Sequence, residues 1–376
     1  MAGRCPVGAV TAINAGLHID EHPSTHWQAS VGYRWLHSDR HFVGTTEHPE
    51  RQEEGSQVIN DLNTVDFGLT YNVNQRLSLT LSVPYVDNNR SSAIRDNTAA
   101  RHIVGRSHIQ ASGLGDIRLS ANWWLWDPAG HLGGPAPEEP TGKGKAPVAV
   151  SPPSGRRGNI RVSIGIDAPT GEKDAEDLRS VYNPTTGQIE KDPVPRIVDQ
   201  SIQPGDGGWG IPLDVYAYYQ CTNRLTAYFQ GSYLITPEEK NGVLTGRGNI
   251  TDPTNNFESI MSIGDTFMAR AGFEYALLPQ HGVSVSLGLR TEGQPVYDLI
   301  GGSEGFRRPG MNIAVEPGIT WMKNGWSASL SVPIAFYNER FQSVPDKQRT
   351  AATGTFRHGD AAFADYYVMF AVGKQF

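Results

Sequence analysis

The chain has 376 residues, a net charge of −7 and only 38% hydrophobic side chains, with 42 glycines. That length admits two ordinary soluble domains or one large barrel. No run of about 18 apolar residues is present, which excludes a membrane-spanning helix, and the acidic balance argues against nucleic acid as a partner.

Residues 1–25 contain "GAVTAINAGLHI", mildly apolar and too short to span a bilayer, and read as an N-terminal periplasmic segment or a plug. In "HIDEHPSTHW" His18, His22 and His26 are spaced by four, which on a helix would align them for a metal. Pro23 undermines that helix, so no metal site is assigned. No basic, then apolar, then small-residue segment opens the chain. It reads either as not exported or as a mature form with an added methionine, and the strand pattern favours the second.

From Trp27 onward a period of two recurs. "TVDFGLTYNV" sets Val65, Phe67, Leu69, Tyr71 and Val73 against Asp66, Gly68, Thr70 and Asn72. "LSLTLSVPYV", "GDIRLSANWWLW", "NIRVSIGID", "VSVSLGLR" and "WSASLSVPIAF" repeat the pattern. Successive side chains of a strand point to opposite faces, so each segment reads as a strand between two environments. About twelve begin near Trp27, Asn63, Leu77, Leu114, Asn159, Gly210, Leu225, Thr266, Val283, Met311, Trp326 and Ala362. Short connections ("VNQR", "CTNR", "LPQHG", "KNG") alternate with long ones near 44–62, 88–112, 171–208, 236–264, 293–309 and 338–360. Residues 127–158 form a Pro/Gly-rich insert where a short turn is due.

The chain closes on "DYYVMFAVGKQF", with Tyr366, Val368, Phe370, Val372 and Lys374 on one face. A soluble sandwich also alternates, but has no reason to pair short turns with long loops so regularly. An outer-membrane barrel does, and a polar lumen accounts for the mean hydropathy of −0.40. Trp35, Tyr71, Tyr85, Trp123, Trp126, Tyr275, Trp321, Trp326 and Phe336 fall near strand ends, as an interfacial girdle requires. The expected fold is all-β: a transmembrane antiparallel β-barrel of about twelve strands over 26–376, in the outer membrane of a Gram-negative bacterium. Its short turns and both termini would be periplasmic, its long loops extracellular.

"SGLGDIRLSANWWLW" (112–126) followed by "IGIDAPTGEKD" (164–174), with the recurring "SVPY" and "SVPI", resembles the outer-membrane barrels grouped as the "MetA-pathway of phenol degradation" transporter or porin-like family. The resemblance is loose over most of the chain and close over these two strands. It implies a channel or uptake role for small molecules, aromatic or hydrophobic ones among them. Outer-membrane barrels characteristically end on an aromatic residue, which implies that the last strand is read by the assembly machinery. Lys374 departs from that pattern.

If the polar face points inward, the lumen holds Asp66, Asp116, Asp167, Asp214, Glu274, Glu316 and Asp365 with Arg34, Arg118, Arg161, Arg270 and Arg290. Inward charge requires water or pairing. The residues then either line a mixed-charge pore that orients polar solutes or form a cross-strand ladder that fixes register. The leading function is a channel or facilitator, without covalent chemistry or cofactor, for passive passage of small molecules. The alternatives are a structural barrel that scaffolds or sheathes a partner, with the 127–158 insert open to a periplasmic one, and a barrel hydrolase. "HSD" (37–39) and "RSHIQAS" (106–112) supply hydrolase residue types without a specific motif. Asp174, Glu176 and Asp177 form an acidic outer loop whose plain reading is solvated. Cys5 and Cys221 form no CxxC motif, but share an oxidising compartment if both are periplasmic, where a disulfide between them is an expectation.

Overall fold

In the computed structural model, which describes residues 26–126, 157–253 and 256–376, twelve strands close into one antiparallel barrel. They are β1 (Trp27–Ser38), β2 (Ile59–Asn72), β3 (Leu77–Arg95), β4 (Ile103–Leu114 and Ile117–Trp124), β5 (Gly158–Ala168) and β6 (Ile211–Gln220). There follow β7 (Leu225–Ile235), β8 (Thr266–Leu278), β9 (Val283–Gln294), β10 (Gly310–Lys323), β11 (Trp326–Ser331 and Ile334–Arg340) and β12 (Tyr367–Gln375). Each strand pairs with its sequence neighbours, and β12 returns to β1 with Val31 opposite Val372 and Trp35 opposite Val368.

The two faces of each strand are chemically distinct. Leu119, Ile164, Ile166, Leu287 and Leu289 are each more than half exposed, while Ser120, Ser163 and Arg290, on the other face, are buried. A monomer in water does not expose a continuous band of aliphatic side chains, whereas hydrocarbon accepts it at no cost. Exposed Trp27, Tyr71, Trp123, Tyr219, Tyr275, Trp321 and Trp326 ring the end that carries the short turns. Tyr85, Trp209, Phe336 and Tyr366 mark the opposite edge. Lys374 ends at the first ring: its Nζ donates to the Asn324 carbonyl at 2.9 Å and lies 5.1 Å from the Trp326 ring centre. A lysine there keeps its charge at the interface and its stem on the aromatic. The chain end is tied in, Phe376 N donating to Trp27 O at 2.9 Å.

The expected loop at 88–112 is instead a tall hairpin, because β3 runs on to Arg95 and β4 starts at Ile103. No apolar alternation marks it, since both faces there leave the bilayer. Both "SVP" prolines fall where the ladder is interrupted. Opposite Val83 and Pro84, β4 carries three residues between Leu114 and Arg118, a bulge. Pro333 separates the two segments of β11. Proline has no N–H for the ladder, so it sits at such breaks. Residues 1–25 and the insert from 127 to 156 lie outside the described residues.

Candidate pore lumen

The lumen is built in three levels. On the middle level, three arginines and two glutamates form a belt that runs from β8, β9 and β10 to Arg34 on β1. Arg34 Nη2 meets Glu292 at 2.5 Å, Arg290 meets Glu292 at 3.0 Å and Glu316 at 3.6 Å, and Arg270 Nη1 meets Glu316 at 3.1 Å. The Arg270 Nε donates to Gln230 at 2.8 Å. Tyr367, fully buried, lies 4.6 Å from the Arg34 guanidinium and 5.7 Å from that of Arg290. Across the lumen, Arg118, a fourth arginine, donates to Asp167 at 2.9 Å, and Ser82 donates to Asp66 at 2.6 Å. These contacts are possible because the register sets Arg270 opposite both Gln230 and Arg290, and Arg118 opposite Asp167.

On the lower level, towards the short turns, the wall is aromatic and amide-rich. The Arg161 guanidinium lies 5.5 Å from Trp124 and 5.7 Å from Tyr216. Asn122 donates to Thr80 at 3.0 Å and accepts from Ser163 at 2.7 Å. A cavity of about 40 Å³ opens here, lined by Tyr216, Tyr228, Arg270, Glu274, Thr320 and Ser329 among others. Its walls mix polar groups with the aliphatic Ile319 and Leu330, and that volume has room for one water.

The upper level is a plug. The segment between β5 and β6 folds into the mouth and buries Val198 and Ile202 among Leu36, Leu62, Ile109, Ala111, Tyr367 and Met369. Asp199, between those two apolar residues, accepts both guanidinium nitrogens of Arg308 at 2.8 Å. Arg90 lies 3.4 Å and Arg247 3.7 Å from the same carboxylate. Burial by itself would raise the Asp199 carboxyl, but the Arg308 and Arg90 charges hold it well below the usual carboxylate range. The plug is pinned at its root by the two segments that carried the sequence resemblance. The Thr170 hydroxyl donates to the Gly115 carbonyl and accepts from Ile117 N, both at 2.9 Å. Asp116 accepts from Gly171 N at 3.0 Å and Asp206 N at 3.1 Å. Gly171 and Gly205 meet back to back, so that a Cβ on Gly205 would lie 2.5 Å from the Gly171 oxygen. "GLGD" and "PTG" are therefore two halves of one clip.

The structure brings together Arg34, Arg270, Arg290 and Glu316 in the belt and Arg118 with Asp167 opposite, while Asp66 and Arg161 are buried on the inner face. Half-buried Asp214 and Glu274 share that face, Asp214 two residues from the inward Tyr216 and Glu274 four from Arg270, beside which it lines the cavity. Asp116 belongs to the clip at the rim, not to the pore wall. Asp365 is a correction. It is exposed and pairs with Arg40, because a bend before β12 ends the alternation there. Glu292 joins the belt from outside the expected set, although it stands two residues from Arg290 on the same face. Asp199, Arg90, Arg247 and Arg308 were also missed: three lie in loops and one on the tall hairpin, where no periodicity marks an inner face.

Neither hydrolase segment assembles a nucleophile, base and acid. His37 pairs with Asp61 at 2.6 Å, while Ser38 is buried on the opposite face, accepting from Asn60. His108 and Ser112 are exposed. In the acidic outer loop, Asp177 accepts from Gln110 N and Leu178 N. Cys221 lies at the β6–β7 turn, and Cys5 is outside the described residues.

No family model and no curated protein matches the chain. Among solved structures it is similar to the COG4313 outer-membrane channel of Pseudomonas putida F1, with a TM-score of 0.50 and 12% identity, over 94% of this chain and 97% of that one. The shared fold is a closed antiparallel β-barrel. At that identity the likeness is one of fold. Weaker similarities include the translocator domain of the autotransporter NalP from Neisseria meningitidis, with a TM-score of 0.43, 12% identity and coverage of 98% and 94%. The Pseudomonas putida toluene transporter TodX gives 0.43 and 9% identity, over 100% of this chain and 95% of that one.

Proposed function

We propose that this barrel is a facilitator that lets small solutes pass down their gradient through its lumen. One observation carries the reading: the barrel centre is filled with paired charges beside a small cavity rather than with a packed apolar core. Such an interior is a poor way to stabilise a closed barrel and a serviceable lining for a path. Among the described inner-face residues, five guanidiniums (Arg34, Arg118, Arg161, Arg270, Arg290) stand against six carboxylates (Asp66, Asp167, Asp214, Glu274, Glu292, Glu316). The near balance favours neutral or singly charged solutes and a weak ion preference. The aromatic lower level and the "MetA-pathway" resemblance support small aromatic molecules as the class. The plug makes the resting state closed. Reading of the last strand by the assembly machinery, a disulfide between Cys5 and Cys221, and a periplasmic partner for the 127–158 insert belong to the same proposal.

Single-channel recording of purified protein in a planar bilayer tests it. The expected result is brief openings in the wild type and steady conductance once residues 195–203 are replaced by a short glycine–serine link. A sealed bilayer with both proteins would overturn it and favour the scaffold reading.

A further inference from the structure

The mouth contains a charge imbalance that the lumen does not. Three guanidiniums, Arg90, Arg247 and Arg308, converge on one carboxylate, Asp199. The other carboxylates nearby have their own cations: Glu258 has Arg349, Asp346 has Arg340, and Asp360 has Arg51 with His41. Arg90 also donates to Asn60 at 2.8 Å and to the Ser201 hydroxyl at 3.1 Å, which fixes its direction. Arg247 and Arg308 lie 4.4 and 4.6 Å from the Phe306 ring centre, so an aromatic surface adjoins the guanidiniums. The Arg247 side chain is 44% exposed while those of Arg90 and Arg308 are 11% and 14%, so the cluster meets solution through Arg247. What occupies it is also informative. Asp199 carries Val198 on one side and Ile202 three residues on, both fully buried. The chain thus presents a carboxylate with a compact apolar body.

We infer that the Arg90–Arg247–Arg308 cluster is a binding site for small organic monocarboxylates with an apolar body, and that the Val198–Ile202 segment occupies it as an internal mimic. An incoming carboxylate takes the bidentate place on Arg308. Asp199 then loses its partner and the plug segment its anchor. Solute binding and plug anchoring thereby compete, so that weakening one strengthens the other. The inference rests on the channel reading for what the release achieves, but not for the binding itself.

The experiment is calorimetric titration of the purified full-length barrel in detergent with sodium benzoate, sodium acetate and benzyl alcohol. Heat-dependent gel mobility checks that each variant is folded. Benzoate should bind more tightly than acetate, and benzyl alcohol should not compete. Asp199→Asn removes the internal competitor's charge and should tighten benzoate binding about tenfold. Arg308→Gln should abolish binding, with partial return in Arg308→Lys, which keeps the charge and loses the fork. Equal affinity for benzoate and benzyl alcohol, or benzoate binding unchanged or weaker in a folded Asp199→Asn protein, would overturn the inference. Conductance of the same preparations is read separately. Tighter benzoate binding in Asp199→Asn without conductance in any variant would uphold the site and reject the channel.

Discussion

Glu316→Gln is the sharpest test of the belt. Glu316 is 1% exposed and stands between Arg270 at 3.1 Å and Arg290 at 3.6 Å, and the Arg290 side chain has no solvent exposure. The substitution keeps shape and hydrogen-bonding capacity and removes one charge. Glu292 would then face Arg34 and Arg290 alone, and Arg270 would keep neutral acceptors at Gln230 and the new amide but no carboxylate. Leaving a buried charge without its partner costs about 3–5 kcal/mol. Water in the adjoining cavity offsets part of that, so the expected loss is about 3 kcal/mol. The assay is urea unfolding in lipid vesicles, followed by tryptophan fluorescence, on Glu316→Gln, Arg270→Gln and the double variant. The double variant should be more stable than the sum of the single losses predicts, by about 1 kcal/mol or more, because the second change removes the charge stranded by the first. Stabilities within about 0.5 kcal/mol of wild type, with strictly additive effects, would show that bulk water screens these charges and would refute the buried belt.

Gly205→Ala would set a methyl 2.5 Å from the Gly171 oxygen, so it should open the clip and raise conductance while leaving the barrel folded; unchanged recordings would argue against the clip as the plug's root. Asp199 and Asp360 both titrate well below the ordinary carboxylate range in the folded protein, mainly because arginines, and His41 for Asp360, offset their burial. Depressed values stabilise the loops above the unfolded pKa of about 4, and that stability is lost as the pH falls through the folded values. Open events should therefore increase between about pH 4 and pH 2, and a flat profile there would contradict the assigned anchors. A membrane-impermeant maleimide should label Cys221 only after the outer membrane is permeabilised, and only after reduction if Cys5 is its partner. Labelling in intact cells would invert the topology.

The wall was legible in the sequence because its physics is periodic. The lipid face at Phe67, Leu69, Ile164, Ile166 and Leu287 repeats every second residue, and so does the inner set Arg118, Ser120 and Asn122. The strand starts at Trp27, Leu77, Leu225, Thr266, Val283 and Trp326 follow from that pattern alone. It failed at the ends of the wall. Above the bilayer neither face is apolar, so the hairpin of β3 and β4 looked like a loop. At Asp365 the chain bends, and the count by twos carries one residue too far. The mouth was not legible, because Asp199, Arg90, Arg247 and Arg308 come from three loops and a strand tip, and only folding sets them side by side.

The two closures of the lumen differ in what can undo them. The belt is held by side chains rooted in the strands of the wall, so opening it would require either a change of charge state or movement of strands paired on both sides. Neither is available to a neutral solute, and the belt is best understood as a fixed lining that a solute or water slips past. The plug is different. Its grip on the wall is the clip at Thr170, Gly171 and Gly205, and its grip on the mouth is the Asp199 carboxylate, the Ser201 hydroxyl between Arg90 and Asn60, the Gln200 amide on the Ser262 carbonyl, and the burial of two aliphatic side chains. Fully burying a Val and an Ile stabilises the closed form by about 3–6 kcal/mol before the cost of ordering the segment is deducted. The Asp199 anchor is the part of that hold that a carboxylate bound at the Arg308 fork removes. Gating therefore belongs to the loop and selectivity to both levels, and a substitution in the belt should change which solutes pass without changing how often the mouth opens.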